Sequence, residues 1–165
     1  MKHYRSGATG ALLDEYERVL SELEAAIEGI SDRELVAVAD PMTEDANCRS
    51  IQTVLAHVVA SGFSYAIYIR ALYGDIVERP KKVLRATSDE YRHDLDRVLA
   101  FTIETFATIQ DAELERFDAE HKIAARWGQL YDIEQMMEHA IVHVMRHRRQ
   151  IEKFLVSLRS KNDNG

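Results

Sequence analysis

Glycine and proline are scarce in this sequence, with 7 glycines and 2 prolines among 165 residues. Together they reach about half of the ~12% that these two residues contribute to an average protein. A sheet protein with many tight turns needs more of both. Their scarcity favours long helices joined by few connections. The length suits one domain, which we expect to span residues 1–165.

Cysteine is almost absent as well, because Cys48 is the only one in the chain. No disulfide can form within the chain, which is compatible with a reducing compartment. The basic residues near the N-terminus are not followed by the apolar run of a secretory signal. We therefore expect a cytoplasmic protein, and we interpret Cys48 as a structural residue.

Positive charge is in the minority, since Lys and Arg number 21 and Asp and Glu 28, a net charge of −7 at pH 7. An acidic chain repels the phosphates of nucleic acids, so we expect no nucleic-acid partner. The basic run at residues 145–150 is more typical of a solvated helix face than of a nucleic-acid site.

Residues 50–69 carry no charged side chain, and about twenty mostly apolar residues are enough to cross a bilayer. Polar side chains interrupt this stretch, however: Gln52, Thr53, His57, Ser61 and Ser64. We therefore expect a buried helix of a helical bundle and no membrane partner.

Apolar residues recur at helical spacing in four long segments. The predicted helices cover residues 9–30, 50–73, from 87 or 88 through 109, and 132–159. Ser31 with Glu34, and Thr87 with Glu90, have the spacing of capping boxes. Four amphipathic helices of this length predict an all-α protein with a four-helix bundle.

The connections between these helices are long for a simple bundle, in which 2–8 residues are typical. They cover residues 31–49, 74–87 and 111–131, and the last of them has room for a short extended piece. Loops of such length often cover a functional site.

Three histidines follow one another at steps of four in the last predicted helix: His139, His143 and His147. Two imidazoles at positions i and i+4 lie on one helix face and can bind one metal ion. A helical projection places His147 within the apolar face, His143 at its edge and His139 outside it. A stable site needs a third ligand from elsewhere, and the spacing leaves that ligand open. The competing interpretation is that these are ordinary surface or core histidines.

The second predicted helix carries His57 at the edge of its apolar face, where a side chain can reach a cavity between two helices. His93 falls on the polar side of the third predicted helix and should be solvated. His3 and His121 lie in irregular regions without informative spacing.

Two segments resemble those of the DinB-like proteins, also called the DinB/YfiT superfamily. One is SIQTVLAHVVASG at residues 50–62, and the other is WGQLYDIEQMMEHAIVHVMRHRRQIEKFL at residues 127–155. The resemblance implies a four-helix bundle that binds a divalent metal, typically nickel or zinc, through three histidines. Carried over by position, these ligands are His57, His143 and His147.

Family members with a known activity join a low-molecular-weight thiol to a substrate, or isomerise a substrate with the help of a thiol. The resemblance therefore implies a metal-dependent enzyme with a small-molecule substrate and a thiol cosubstrate. A metal-dependent hydrolase remains an alternative, because a metal ion also activates water. A non-enzymatic bundle that binds a metal or small ligand in a stress response is the other.

The resemblance also implies a homodimer, because DinB-like proteins are often dimers. On the second predicted helix, Phe63 and Ile67 lie away from the apolar face, beside the small residues Ala56 and Ala60. Such an outward apolar patch is expected to form the dimer contact. In the alternative, the 31–49 segment covers this patch within one chain.

Overall fold

The computed structural model describes residues 3–162. Five α-helices follow one another: α1 (Gly7–Ile27), α2 (Asp32–Val36), α3 (Ile51–Ala71), α4 (Ser88–Thr105) and α5 (Ile133–Asn162). The connection before α5 contains a small antiparallel hairpin of β1 (Ile123–Ala124) and β2 (Leu130–Tyr131). Short 3-10 turns occur at Ala46–Cys48, Asp111–Glu113 and Ala119–His121.

The structure confirms the all-α fold and the four long helices, and their ends follow from local chemistry. Ser50 and Thr87 cap α3 and α4 in capping boxes, and Ser31 does so for the short helix α2. The first helix ends at Ile27, earlier than the predicted end at residue 30, and the chain turns away from the helix at Glu28, with ψ 130°, and Gly29, with a left-handed φ of 70°. The extended piece expected in the 111–131 connection is the β1–β2 hairpin.

The four long helices form a bundle in which α1 contacts α4 and α5, and α3 contacts the same two helices. The helices α1 and α3 therefore occupy diagonal positions. Large apolar side chains that are almost wholly buried fill the space between them: Leu20, Leu23, Ile27, Leu55, Leu95 and Ile133.

Among the described residues, α3 is the one helix long and apolar enough to cross a membrane, and half of its most apolar stretch is buried in the bundle. A core helix of a helical bundle meets the same criteria, and α3 packs between α4 and α5. This position agrees with the expectation of a buried bundle helix.

The prediction of an outward apolar patch on α3 is wrong. Phe63 and Ile67 are only 9% and 7% exposed. The ring of Phe63 packs against Phe101 of α4 at 5.6 Å between centroids. The guanidinium carbon of Arg97 lies over the Phe63 ring, 6.0 Å from its centroid. The helix α3 contacts two helices and therefore has two buried sides, whereas the projection assumed one. The homodimer remains a prediction, but Phe63 and Ile67 are no longer available as its contact surface.

Gly62 lies where α3 and α4 approach each other closely. A Cβ atom at this position would lie 2.5 Å from Cγ1 of Val98 and 3.1 Å from the Tyr16 hydroxyl oxygen. We expect Gly62→Leu to lower the free energy of unfolding by about 3 kcal/mol, because the stiff valine cannot move aside without strain. Urea denaturation followed by circular dichroism measures this loss.

The smaller substitution Gly62→Ala separates the clash from helix propensity, which by itself favours alanine by about 1 kcal/mol. In the wild-type background we expect a net destabilisation. In a Val98→Ala background, where the clashing methyl groups are absent, the same change should be neutral or stabilising. Equal effects in both backgrounds would contradict the close approach of the two helices.

Candidate metal centre

Three histidines from two helices meet between α3 and α5. Nε2 of His57 lies 3.0 Å from Nε2 of His143, and the His147 ring centroid lies 5.0 Å from that of His57 and 4.5 Å from that of His143. One ring nitrogen from each residue can be chosen so that all three lie within 4.8 Å of one another. The structure thus brings together the three residues that the resemblance indicated.

The helical projection of α5 is confirmed by the burial of its histidines. His143 and His147 are 8% and 5% exposed, whereas His139 is half-buried and stacks on Trp127 at 5.3 Å between ring centroids. His139 is not part of the three-histidine cluster. His93 is exposed, as expected.

All three clustered imidazoles are held in the neutral form. Burial lowers the pKa of His57 to about 4 and that of His143 to about 2, and mutual repulsion between the histidines adds to the effect. Burial also lowers the pKa of His147. Neutral imidazole is the form that binds metal ions, so the cluster is ready for ligation near pH 7.

Gln150 orients one of the three rings. Its Oε1 lies 2.9 Å from Nδ1 of His147, which therefore donates a hydrogen bond and leaves Nε2 as the acceptor. Within the described part of the chain, this buried Nε2 has no hydrogen-bond partner. Leaving a buried acceptor without a partner costs about 1–3 kcal/mol. A cation bound beside His57 and His143 satisfies it, so the donor set fits a divalent metal.

Cys48 lies closer to this centre than the sequence suggested. Its Sγ is 4.0 Å from Oε1 of Gln150 and 3.6 Å from Oδ2 of Asp45. Burial raises the pKa of the thiol, so it stays protonated near neutral pH. No local pattern indicates this neighbourhood, because Cys48 and Gln150 are 102 residues apart in sequence.

A cavity of about 440 Å³ opens beside His57 and His143. The hairpin before α5 forms one wall, with Trp127 in its turn, and the backbone N–H of Arg126 donates to the Tyr68 hydroxyl at 3.1 Å. The long 111–131 connection therefore covers part of the site, as its length suggested. This volume suits a small organic molecule.

A larger groove of about 800 Å³ runs along α1, away from the histidine cluster. Its charged side chains pair with one another, since Arg5 binds Asp14 and Glu17, and Arg18 binds Glu22. The cavity beside the histidines is therefore the better candidate for chemistry.

A family model of the DinB superfamily matches residues 15–151, a range that contains the three clustered histidines and Gln150. A search of curated proteins finds no match.

Proposed function

This chain belongs to the DinB superfamily, and we propose that it is a metal-dependent transferase that joins a low-molecular-weight thiol to an electrophilic small molecule. The observation that carries the proposal is the cluster of three neutral histidines at the edge of a cavity. Three protein ligands are the number found in catalytic zinc sites, which keep a position open for substrate.

We propose His57, His143 and His147 as the ligands of a nickel or zinc ion. Such an ion, when bound, supplies positive charge that lowers the pKa of a thiol or of water. The protein's own part is to fix three imidazoles from two packed helices, and Gln150 sets the tautomer of His147.

The nucleophilic sulfur is proposed to come from the cosubstrate rather than from the protein. Cys48 is absent from the described residues that line the cavity, and burial raises the pKa of its thiol. In the transfer, a sulfur–carbon bond forms while the bond from that carbon to its leaving group breaks. The leaving group keeps the electron pair, and the thiol proton passes to solvent.

A cytoplasmic location fits this proposal, because low-molecular-weight thiols are kept reduced there. The aromatic side chains of Tyr68 and Trp127 line the cavity and offer a flat substrate an apolar surface to pack against.

Metal analysis and a transfer assay test the proposal together. We expect the protein loaded with nickel or zinc to form a thioether from glutathione or another cellular thiol and a chromogenic aryl chloride, detected by mass spectrometry. The metal-free protein and the His147→Ala variant should form no product above the uncatalysed rate. Metal should also raise the melting temperature near pH 7, by roughly 5–10 °C when the free metal concentration is 100 times Kd.

The two readouts separate the alternatives. A melting shift without thioether formation for any thiol would contradict the transferase and leave a metal-binding bundle. Release of product from an ester or amide without thiol would favour the hydrolase. Equal melting temperatures with and without metal would contradict the metal centre itself.

A further inference from the structure

Three arginines line the cavity beside the histidine cluster: Arg79, Arg126 and Arg146. They come from the 74–87 connection, the turn of the hairpin and α5, so only the fold brings them together. Among the described residues that line this cavity, none is acidic, although Asp and Glu outnumber Lys and Arg by 28 to 21 in the chain. The cavity wall is positive in a protein that is negative overall.

These arginines also have no carboxylate partner within the described range. Most other arginines do form ion pairs with Asp or Glu, namely Arg5, Arg18, Arg70, Arg85, Arg92, Arg97, Arg148 and Arg159. The guanidinium of Arg79 lies 4.5 Å from the centroid of the Tyr68 ring. A guanidinium that stacks on an aromatic face keeps the N–H groups along its own edge free to bind an anion.

Aromatic side chains line the same cavity as these three arginines. The Trp127 ring is 46% exposed and lies edge-on to Tyr65 and Tyr68, at 6.4 and 6.2 Å between centroids. A flat organic group gains contact area on such surfaces, while arginine forks match the geometry of carboxylate and phosphate oxygens.

We propose that this cavity binds an organic anion, a carboxylate or a phosphate ester. Its charged group accepts hydrogen bonds from Arg79, Arg126 and Arg146, and its flat part lies against Trp127 and Tyr68. This inference rests on the proposed function, because it assigns a class of substrate to the same site. An anionic substrate is held by the arginines with its remaining atoms directed towards His57 and His143.

Trp127 is the only tryptophan in the chain, so its fluorescence reports on this cavity alone. The test is a fluorescence titration with benzoate, phenyl phosphate and benzamide, the last being an uncharged analogue of benzoate. It is done on the zinc-loaded protein and on protein stripped of metal with a chelating resin. The second sample separates binding by arginine from direct binding of the anion to zinc.

We expect one or both anions to bind at least about tenfold more tightly than benzamide, with or without zinc, because charge-assisted hydrogen bonds are the stronger ones. Arg126→Gln and Arg146→Gln should each remove most of this preference. The matched control is Arg149→Gln, on the same helix as Arg146. Arg149 is exposed and lies outside the cavity, so this variant should keep the preference. Preference for benzoate or for phenyl phosphate identifies the anion as carboxylate or phosphate.

Four results would overturn the inference: no saturable binding of either anion, equal affinity for benzamide, a preference that survives both cavity substitutions, or one that requires zinc. Zinc titration of the same variants keeps this question apart from the proposed function. If the wild-type protein binds stoichiometric zinc but shows no preference for the anions, the anion site alone is refuted. If the wild-type protein binds no zinc, the metal centre is refuted.

Discussion

Replacing His147 by alanine is expected to abolish stoichiometric binding of nickel or zinc. The substitution leaves only His57 and His143, whose nitrogens lie 3.0 Å apart, and two imidazoles hold a metal ion poorly. Loss of a residue that only supports a ligand costs 10–100-fold in affinity, so loss of a ligand should cost at least about 100-fold. Isothermal titration calorimetry near pH 7.5 measures the change, and His143→Ala should behave alike.

His139→Ala is the matched control for this prediction. It makes the same change on the same helix, at the same step of four residues, but His139 stacks on Trp127 outside the cluster. Its metal affinity should stay within a few-fold of the wild-type value, and circular dichroism should show each variant folded. Equal losses for His139→Ala and His147→Ala would contradict the assignment of the inward face of α5.

The metal-free protein is expected to lose stability as the pH falls from about 7 to about 5. Burial, assisted by neighbouring histidines, lowers the pKa of His57 to about 4 and of His143 to about 2, whereas an unfolded histidine titrates near 6.5. Below pH ~6.5 the unfolded chain therefore binds protons that the folded chain does not, and acid favours unfolding.

Linkage limits the slope to about 1.4 kcal/mol per pH unit for each such histidine, and the solvent access of His57 makes its share smaller. Urea denaturation of the metal-free protein at several pH values measures the slope. The variant His143→Gln should show a shallower one, because it lacks one of the buried imidazoles. A free energy of unfolding that is constant between pH 7 and 5 would contradict the neutral buried cluster.

The lowered pKa values also affect the competition between protons and a metal ion for the histidines. A histidine with the reference pKa of about 6.5 would lose metal to protons between pH 7 and 5. In the folded protein, burial moves that competition for His57 and His143 to lower pH. Metal loss in this range should therefore follow unfolding rather than ligand protonation.

The features that the sequence predicted correctly depend on residues close to one another along the chain. The capping boxes at Ser31 and Thr87 join residues three apart. The inward direction of His143 and His147 follows from the apolar face of their own helix, since helical periodicity fixes which residues share a face. The family resemblance supplied His57, which spacing alone did not single out.

The prediction of an outward patch on α3 failed because it used the sequence of that helix alone. Its projection contained one strong apolar face, and Phe63 and Ile67 lay outside it. In the bundle α3 sits between α4 and α5, so a second side is buried as well. The number of neighbours that a helix has is a property of the packed bundle and is not encoded in one helix.

The sequence by itself determined the helical class, the main helix starts, and the pair of histidines on the inward face of α5, because short-range hydrogen bonds and periodicity decide them. Only the tertiary structure decided that His57 meets this pair, that Cys48 lies against Gln150, and that three arginines share one cavity. These groups are separated by up to about a hundred residues of chain. Their contacts depend on how the helices and the long connections pack, which local sequence patterns do not specify.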